Sequence, residues 1–450
     1  MTATRSGVGP LDLRLRVTHR FRPVEMVAPG FVEFDTDRPE DGALVRTGVG
    51  MRAPFGAVEV TPAGTATVRA GWATVDGEAI LAEYDAVRRM VAVKQGDTTL
   101  AEAPVPDAAV PARFAATLTG RKVTAVVLDA EGAWVPLATA LVESPDLRRP
   151  EVLARYEHAY GGAVTHVRAG YFGQVGLRDP HLITHADGRP YLREGGYLFT
   201  VGNAGMGFAQ EAHWSVWALD PDDPERMAQV AKLFFAHDGI VTGDNAGQIV
   251  WDDERERFVI LVCGGDLPTP GVHVRHATTT ADITRGVHVI ANERLPGPVH
   301  LSSWEPAIAR IDGRWHIAYA DVVQLDPELA FHPVLVTARE GGDYHEGLTV
   351  RAADTAVRRT EGCVLQRFDT GWHLLATDDE DRRYRVYDLD LHEIGALDAP
   401  YLEGGPHPQV FPLAGDGRDF LMLTFANVQF HEKVLGYGTE GDVVVLRGRA

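Results

Sequence analysis

Five short segments of the 450-residue chain each open on a residue able to do acid–base chemistry. They are Asp179 in "RDPHLI", Asp244 in "GDNAGQIVW", Glu305 in "WEPAIARI", Glu361 in "TEGCVLQRF" and His407 in "PHPQVF", spaced 65, 61, 56 and 46 residues apart. A short apolar strand follows each lead residue. In the first four segments a turn aspartate comes next (Asp187, Asp252, Asp312, Asp369), then a strand rich in aromatic and β-branched residues. Two carboxylates across a substrate-sized gap are the equipment for cleaving a glycosidic bond. One protonates the leaving oxygen while the other activates water or attacks the sugar. A third carboxylate nearby disfavours ionisation of the acid and so raises its pKa.

Residues of this kind converge only if the elements bearing them are arranged radially. A plan of four-stranded length repeated five times reads as a five-bladed β-propeller over residues 165–450, with the first strand of each blade lining the channel and the lead residues forming a ring. The turn aspartates fall at hairpins and read as structural. Residues 1–148 read as a β-sandwich. "LDLRLRVTHRF" alternates with period two, and similar runs follow between Gly, Asp and Pro turns. "AILAEYDAVRRMV" also fits a helical period, but its strand-like neighbours favour two strands around Asp85-Ala86. The charged stretch 149–164, flanked by Pro145 and Pro150, reads as a connector. The expectation is an all-β protein with less than about a tenth of the propeller in helix, against a base rate of about a third.

The order Asp179, Asp244, Glu305 on the first three segments resembles glycoside hydrolase family 43, over about residues 165–450. The resemblance implies that Asp179, in its Asp-Pro pair, is the general base, Asp244 the pKa modulator and Glu305 the general acid. This chain has Asp-Asn at 244 where the family commonly has Asp-Pro, and Glu361-Gly362 is a rival for the acid. "GLRDPHL" with "GYLFTVGNAG", and "WEPAI" with "IDGRW", are also similar to the fructan-processing families 32 and 68. In those the Arg-Asp-Pro aspartate stabilises the transition state of a retaining reaction and a separate Asp attacks. An inverting pair requires Asp179 and Glu305 carboxyls ~6.5–9.5 Å apart, and a retaining pair ~5–5.5 Å. The family further implies that His407 helps hold a central ion or water cluster, with a structural calcium as the candidate and no other cofactor. Arg178, His181, Trp304, Glu361 and His407 are the expected substrate contacts. The N-terminal sandwich is similar in architecture to the concanavalin-like modules attached to such propellers.

Composition narrows the partners. A formal net charge of −20 argues against nucleic acid and anionic membranes, leaving a small carbohydrate or glycosylated metabolite as the expected ligand. Two cysteines, Cys263 and Cys363, exclude a disulfide framework and a multi-Cys zinc site, and both sit in apolar runs that bury free thiols. No run approaches the ~18 apolar residues of a membrane span, and the N-terminus has no apolar signal region, so a cytoplasmic location is expected. "EGGYLFTVGNAGMGFAQ" lacks the helix and lysine of a phosphate cradle, and no HExxH pattern occurs. Trp251 is expected in the core between blades. The expected activity is a glycosidase on a small glycan or glycoconjugate. The alternatives are a non-catalytic carbohydrate-binding propeller and a retaining fructosyl hydrolase or transferase. A phosphorylase needs a basic cluster near the ring, where only Arg178 stands.

Overall fold

The computed structural model describes residues 7–40, 42–106, 111–265, 271–414, 417–434 and 440–450. Among them helix is limited to the α-turn Pro150–Leu153 and two three-residue 3₁₀ turns; everything else regular is strand. No helix is long and apolar enough to cross a membrane.

Two six-stranded sheets form the sandwich. One runs Trp134–Leu141, Lys122–Leu128, Arg113–Thr119, Phe55–Pro62, Val164–Gln174, Glu25–Thr36. The other runs Val45–Gly50, Tyr156–Gly161, Val68–Thr74, Ala79–Asp85, Met90–Gln95, Thr98–Pro104. Period-two alternation aims Val58, Val60, Phe114, Leu118 and Val167 of the first sheet at Trp72, Ile80, Val91 and Tyr156 of the second. The ambiguous segment is two strands. Asp85 Oδ1 accepts the backbone N–H groups of Val87 and Arg88 (3.0 and 2.9 Å), and Arg89 adopts φ 52°, which closes a turn where a helix would have continued.

Five further sheets are the blades of the propeller. Their first strands are Leu177–Leu182, Asn245–Asp252, Ser302–Ile311, Thr360–Phe368 and Gln409–Pro412, defining blades 1 to 5. Five apolar clusters fill the wedges between successive blades. Ile183 and Trp214 meet Ile260 between blades 1 and 2, and Leu261 meets Ile308 and Trp315 between 2 and 3. Leu335 meets Leu374 between 3 and 4, Leu375 meets Val444 between 4 and 5, and Phe411 meets Leu182 between 5 and 1. The cysteines are free and buried, and Trp251 packs against Tyr191 and Phe258 in the first wedge.

The domain boundaries differ from the expectation in two places. Arg14–Phe21 does not belong to the sandwich. It pairs antiparallel with Glu440–Arg449 and is the fourth strand of blade 5, with Leu13 and Leu15 in the wedge against blade 4. Alternation identifies a half-buried strand but does not say which sheet receives it. The expected connector 149–164 supplies the interior strand Tyr156–Gly161, and Val164–Gln174 is a central strand of the other sheet. The sandwich therefore spans Glu25–Gln174 and the blades begin at Leu177. Met26, Phe31, Phe55 and Tyr171 dock it on Met206, Phe234 and Val241 of blade 1.

Candidate active site

The channel-lining strands of blades 1 to 4 are each broken near their start by a one-residue bulge, and the bulge sets where the lead residue points. In blade 1 the pairing jumps from Arg178 to His181, in blade 3 from Trp304 to Ala307, and in blade 4 from Glu361 to Val364. Asp179 and Glu305 occupy equivalent places in these bulges, with φ 51° and 56°, and each precedes a proline that has no N–H for the ladder. Blade 4 puts Gly362, at φ 66°, in that place. Glu361 is thereby equivalent to Arg178 and Trp304, not to Asp179 and Glu305. In blade 2 the bulge residue is Ala246, at φ 53°, and Asp244 lies two residues before it. The expected ring of five equivalent leads is therefore corrected to two equivalent acids plus residues set off from them. Motif spacing does not resolve a one-residue offset, and in a strand such an offset reverses the side chain.

Asp179, Glu305 and His407 come together, with one side-chain oxygen or nitrogen of each within 4.8 Å of the others. His407 Nε2 lies 3.2 Å from Glu305 Oε1 and 3.6 Å from Asp179 Oδ1. The Gly362 N–H donates to Glu305 Oε2 at 2.6 Å, and the Glu305 N–H donates to Cys263 Sγ at 2.9 Å. Arg178 Nε is 3.9 Å from Asp179 Oδ1, and the guanidinium lies over the Phe425 ring at 4.8 Å. His407 meets the same ring edge-on at 5.5 Å. Gly362 is required twice over: its φ is left-handed, and a Cβ there would stand 2.5 Å from the His407 ring.

The acids differ in charge. Burial pushes Glu305 up, but His407 and the Gly362 amide outweigh it and hold the carboxyl below its usual value. Burial works against a charged His407, and Glu305 and Asp179 overcome it, holding the imidazole toward its protonated form. Asp179 is raised, mainly by burial, which Arg178 and His407 offset only in part. Glu361 is raised well above the usual range by burial and then by the charges of Glu305 and Asp379. His181, buried two residues after Asp179, is driven down to about 3 by burial and by His407, and stays neutral.

Asp244 is held separately. Thr242 Oγ1 donates to its Oδ1 (2.9 Å), and Asn292 Nδ2 donates to its Oδ2 (3.2 Å), 3.3 Å from His237 Nε2. It shares the neighbourhood, because burial and then Glu305, Asp179 and Asp244 together keep the Cys263 thiol protonated. Trp304 packs on Phe331 (5.3 Å, 71°), and its buried indole N–H has no hydrogen-bond partner. Sequence reasoning missed the Gly362 amide, the Cys263 acceptor, and the Phe425 ring shared by Arg178 and His407. Only Gly362 carried a signal, as the glycine following a lead acid.

The expected calcium was tested against these residues. Calcium takes six to eight oxygens. The cluster offers two carboxylates and one imidazole already engaged with both, and Arg178 adds a positive charge beside Asp179. The donor set does not suit calcium, and no chemical step is routed through an ion.

No known family and no curated protein matches the chain. Solved structures do. A GH43_1 enzyme from Xanthomonas citri is 12% identical, with a TM-score of 0.43 over 60% of this chain and 87% of that one. A levansucrase mutant from B. megaterium is 9% identical, with a TM-score of 0.45 over 61% and 83%. A Bacillus subtilis levansucrase in complex with oligosaccharides is 8% identical, with a TM-score of 0.44 over 61% and 84%. Function has to be argued from the site itself.

Proposed function

We propose that the protein is a glycosidase acting on a small glycan or glycoconjugate. In this reading Glu361 is the proton donor, Asp179 the carboxylate that attacks the sugar or activates water, and Glu305–His407 the charged pair between them. One arrangement carries it: at one end of the channel Glu305 is engaged by His407 Nε2 at 3.2 Å and by the Gly362 N–H at 2.6 Å and held toward its ionised form, while Glu361 beside it is pushed toward its protonated form by burial and then by the charge of Glu305. A general acid must be protonated, and an ionised carboxylate beside it keeps it so.

This reading moves the acid from Glu305 to Glu361. Glu305 is engaged by an imidazole and an amide that both favour its ionised form. Oxygens of Asp179 and Glu305 within 4.8 Å, joined through His407, leave no room for the water that an inverting pair holds between its carboxyls. The two act on one side of the scissile bond. Asp179 Oδ1 is buried without a hydrogen-bond donor, which suits an oxygen that meets substrate. Asp244, saturated by Thr242, Asn292 and His237, has a positioning role, and Trp304, His181 and Arg178 line the approach. No cofactor is needed.

The test is Glu361→Gln, which keeps shape but removes the transferable proton. Turnover of a glycoside with a poor leaving group should fall ~10²–10⁴-fold, and that of an activated aryl glycoside far less. If Glu305→Gln gives that pattern and Glu361→Gln does not, the acid is Glu305. A second reading, a carbohydrate-binding propeller without turnover, draws on the burial of the cluster, with Asp179 only 3% and Glu305 7% exposed. Sugar binding without cleavage by wild type, and undiminished in Asp179→Asn and Glu361→Gln, would select it.

A further inference from the structure

A second polar concavity lies at the opposite end of the blades. Glu305 lies near the start of the channel strand of blade 3 and Ile311 ends it, six residues or about 20 Å away at ~3.3 Å per residue. Beneath Ile311, where blades 3 and 4 splay apart, is a cleft of about 510 Å³ lined by Arg314, His316, Thr337, Thr349, Arg351 and Leu389. That volume suits a small molecule.

The lining follows from strand register. His316 pairs with Thr337, and Thr337 with Thr349, so the three form one row across three strands. Arg314 lies two residues before His316 on the same face, and Arg351 sits at a bulge two residues after Thr349. Nearer the channel this face carries Ala307, Ala309, Ala318 and Leu335, packed on blade 4. At its lower end it turns from apolar to hydrogen-bond donors, which simple packing between blades does not call for.

The donors are arranged in order. His316 Nδ1–H donates to the Arg314 carbonyl (3.0 Å), so its Nε2 accepts from Arg351 Nη1 (3.2 Å). Burial, and then Arg351 and Arg314, keep this imidazole neutral. Asp390 of blade 4 grips Arg351 from the other side at 3.1 Å and balances its charge. Arg314 gives its Nε to the Ala338 carbonyl (2.5 Å), which orients the guanidinium. Among the described residues it makes no ion pair, although Asp312 also borders the cleft. The Thr337 and Thr349 hydroxyls complete a donor-rich wall.

We propose that this cleft binds a small oxyanion, the phosphate or carboxylate group of a metabolite, with the terminal nitrogens of Arg314 as the bidentate anchor and the threonine hydroxyls as further donors. A planar fork beside hydroxyls matches oxyanion geometry, and a chain of net charge −20 draws no anion by its overall field, so recognition has to be local. Asp312 in the lining and Asp390 on Arg351 work against the anion and limit its affinity.

The test is calorimetric titration of the intact protein with inorganic phosphate and, separately, with acetate, at ionic strength fixed by sodium chloride. Saturable binding of either anion at one site is expected, and which one binds tells phosphate from carboxylate. Arg314→Met should weaken it at least tenfold, and Arg314→Lys, which keeps charge but loses the fork, should fall between. Asp179→Asn should bind as wild type does. If Arg314→Met does not fold, Arg314→Lys and Thr337→Val carry the test, and both must weaken binding. Binding no stronger than chloride's, binding indifferent to all Arg314 and Thr337 variants, or binding lost in Asp179→Asn would each overturn the site.

Discussion

Two of the buried polar clusters in this molecule handle charge in opposite ways. In the channel, Glu305 and Asp179 are matched by His407 and Arg178. At the seam between sandwich and propeller, Lys232 and His213 are completely buried and no acid among the described residues answers them. Lys232 Nζ donates to the Phe172 carbonyl (2.6 Å) and meets His213 Nε2 (2.7 Å), 5.9 Å from the Phe31 ring. His213 is boxed by Phe55, Phe172 and Phe234 at 5.5–6.3 Å. Burial drives both bases well below their ordinary pKa values, with Lys232 adding to the effect on His213. A cluster that keeps opposite charges can hold an acid and a base ready for proton transfer. A cluster that sheds its charge serves only to fill a seam, and it gives way to acid.

The sharpest way to break the contrast is Asp179→Asn. If the channel cluster is chemical, activity should fall by about 10³-fold or more on activated and unactivated glycosides alike, since protonating the leaving group does not replace attack. Turnover close to wild type would reduce the cluster to scaffolding. The wild-type acidic limb should report Asp179 and stand above pH 3.8, the ordinary value from which Asp179 is raised. Glu361, raised well above 4.5, should set the basic limb.

Next in size is His407→Ala, which leaves Glu305 buried with the Gly362 amide and the more distant charge of Arg178. Breaking a buried pair costs ~3–5 kcal/mol. Without His407, the Glu305 pKa should rise above its unfolded value, so stability should be lost as pH rises. The drop in Tm relative to wild type should be larger at pH 8 than at pH 5, and an equal drop at both would mean that Glu305 does not depend on His407. Gly362→Ala should cost ~1–3 kcal/mol through backbone strain and contact with His407, read as a lower midpoint in urea.

The smallest effect, and the most specific to the seam, is the pH slope removed by Lys232→Met. The folded pKa of Lys232 lies below the unfolded one, so the unfolded chain binds more protons between the two values, and stability rises with pH there. One such group contributes up to ~1.4 kcal/mol per pH unit. The slope between pH 7 and 9 should be flatter in Lys232→Met than in wild type. Identical slopes would mean that the lysine remains charged.

The five-bladed plan could be read from sequence because each blade repeats a polar lead and an apolar strand, and the first four add an Asp turn, as in Asp179…Asp187 and Glu305…Asp312. The meeting of Asp179, Glu305 and His407 follows from the same plan. Register could not be read. Asp179-Pro180, Glu305-Pro306 and Glu361-Gly362 look alike as motifs, yet the bulge shifts Glu361 by one position and gives it a different neighbourhood. Pairings between distant segments were equally hidden. Nothing local in "LDLRLRVTHRF" says that Val443–Arg449 is its partner, and nothing near Lys232 says that Phe31 and Phe172 will enclose it. Local pattern decides what a segment becomes, and distant burial decides where it goes.

The strand Arg14–Phe21 carries a consequence for the order of assembly. On a ribosome it emerges more than 400 residues ahead of the partner it needs, Glu440–Arg449. The sandwich, whose strands all lie between Glu25 and Gln174, can pair them while the blades are still being made. Blade 5 has no such freedom. Until Val443–Arg449 is released the last wedge stays open, and Leu13 and Leu15 have no strand to hold them against blade 4. The closure works as a latch thrown last: a chain interrupted between about residues 175 and 440 can hold a finished sandwich beside an unclosed ring.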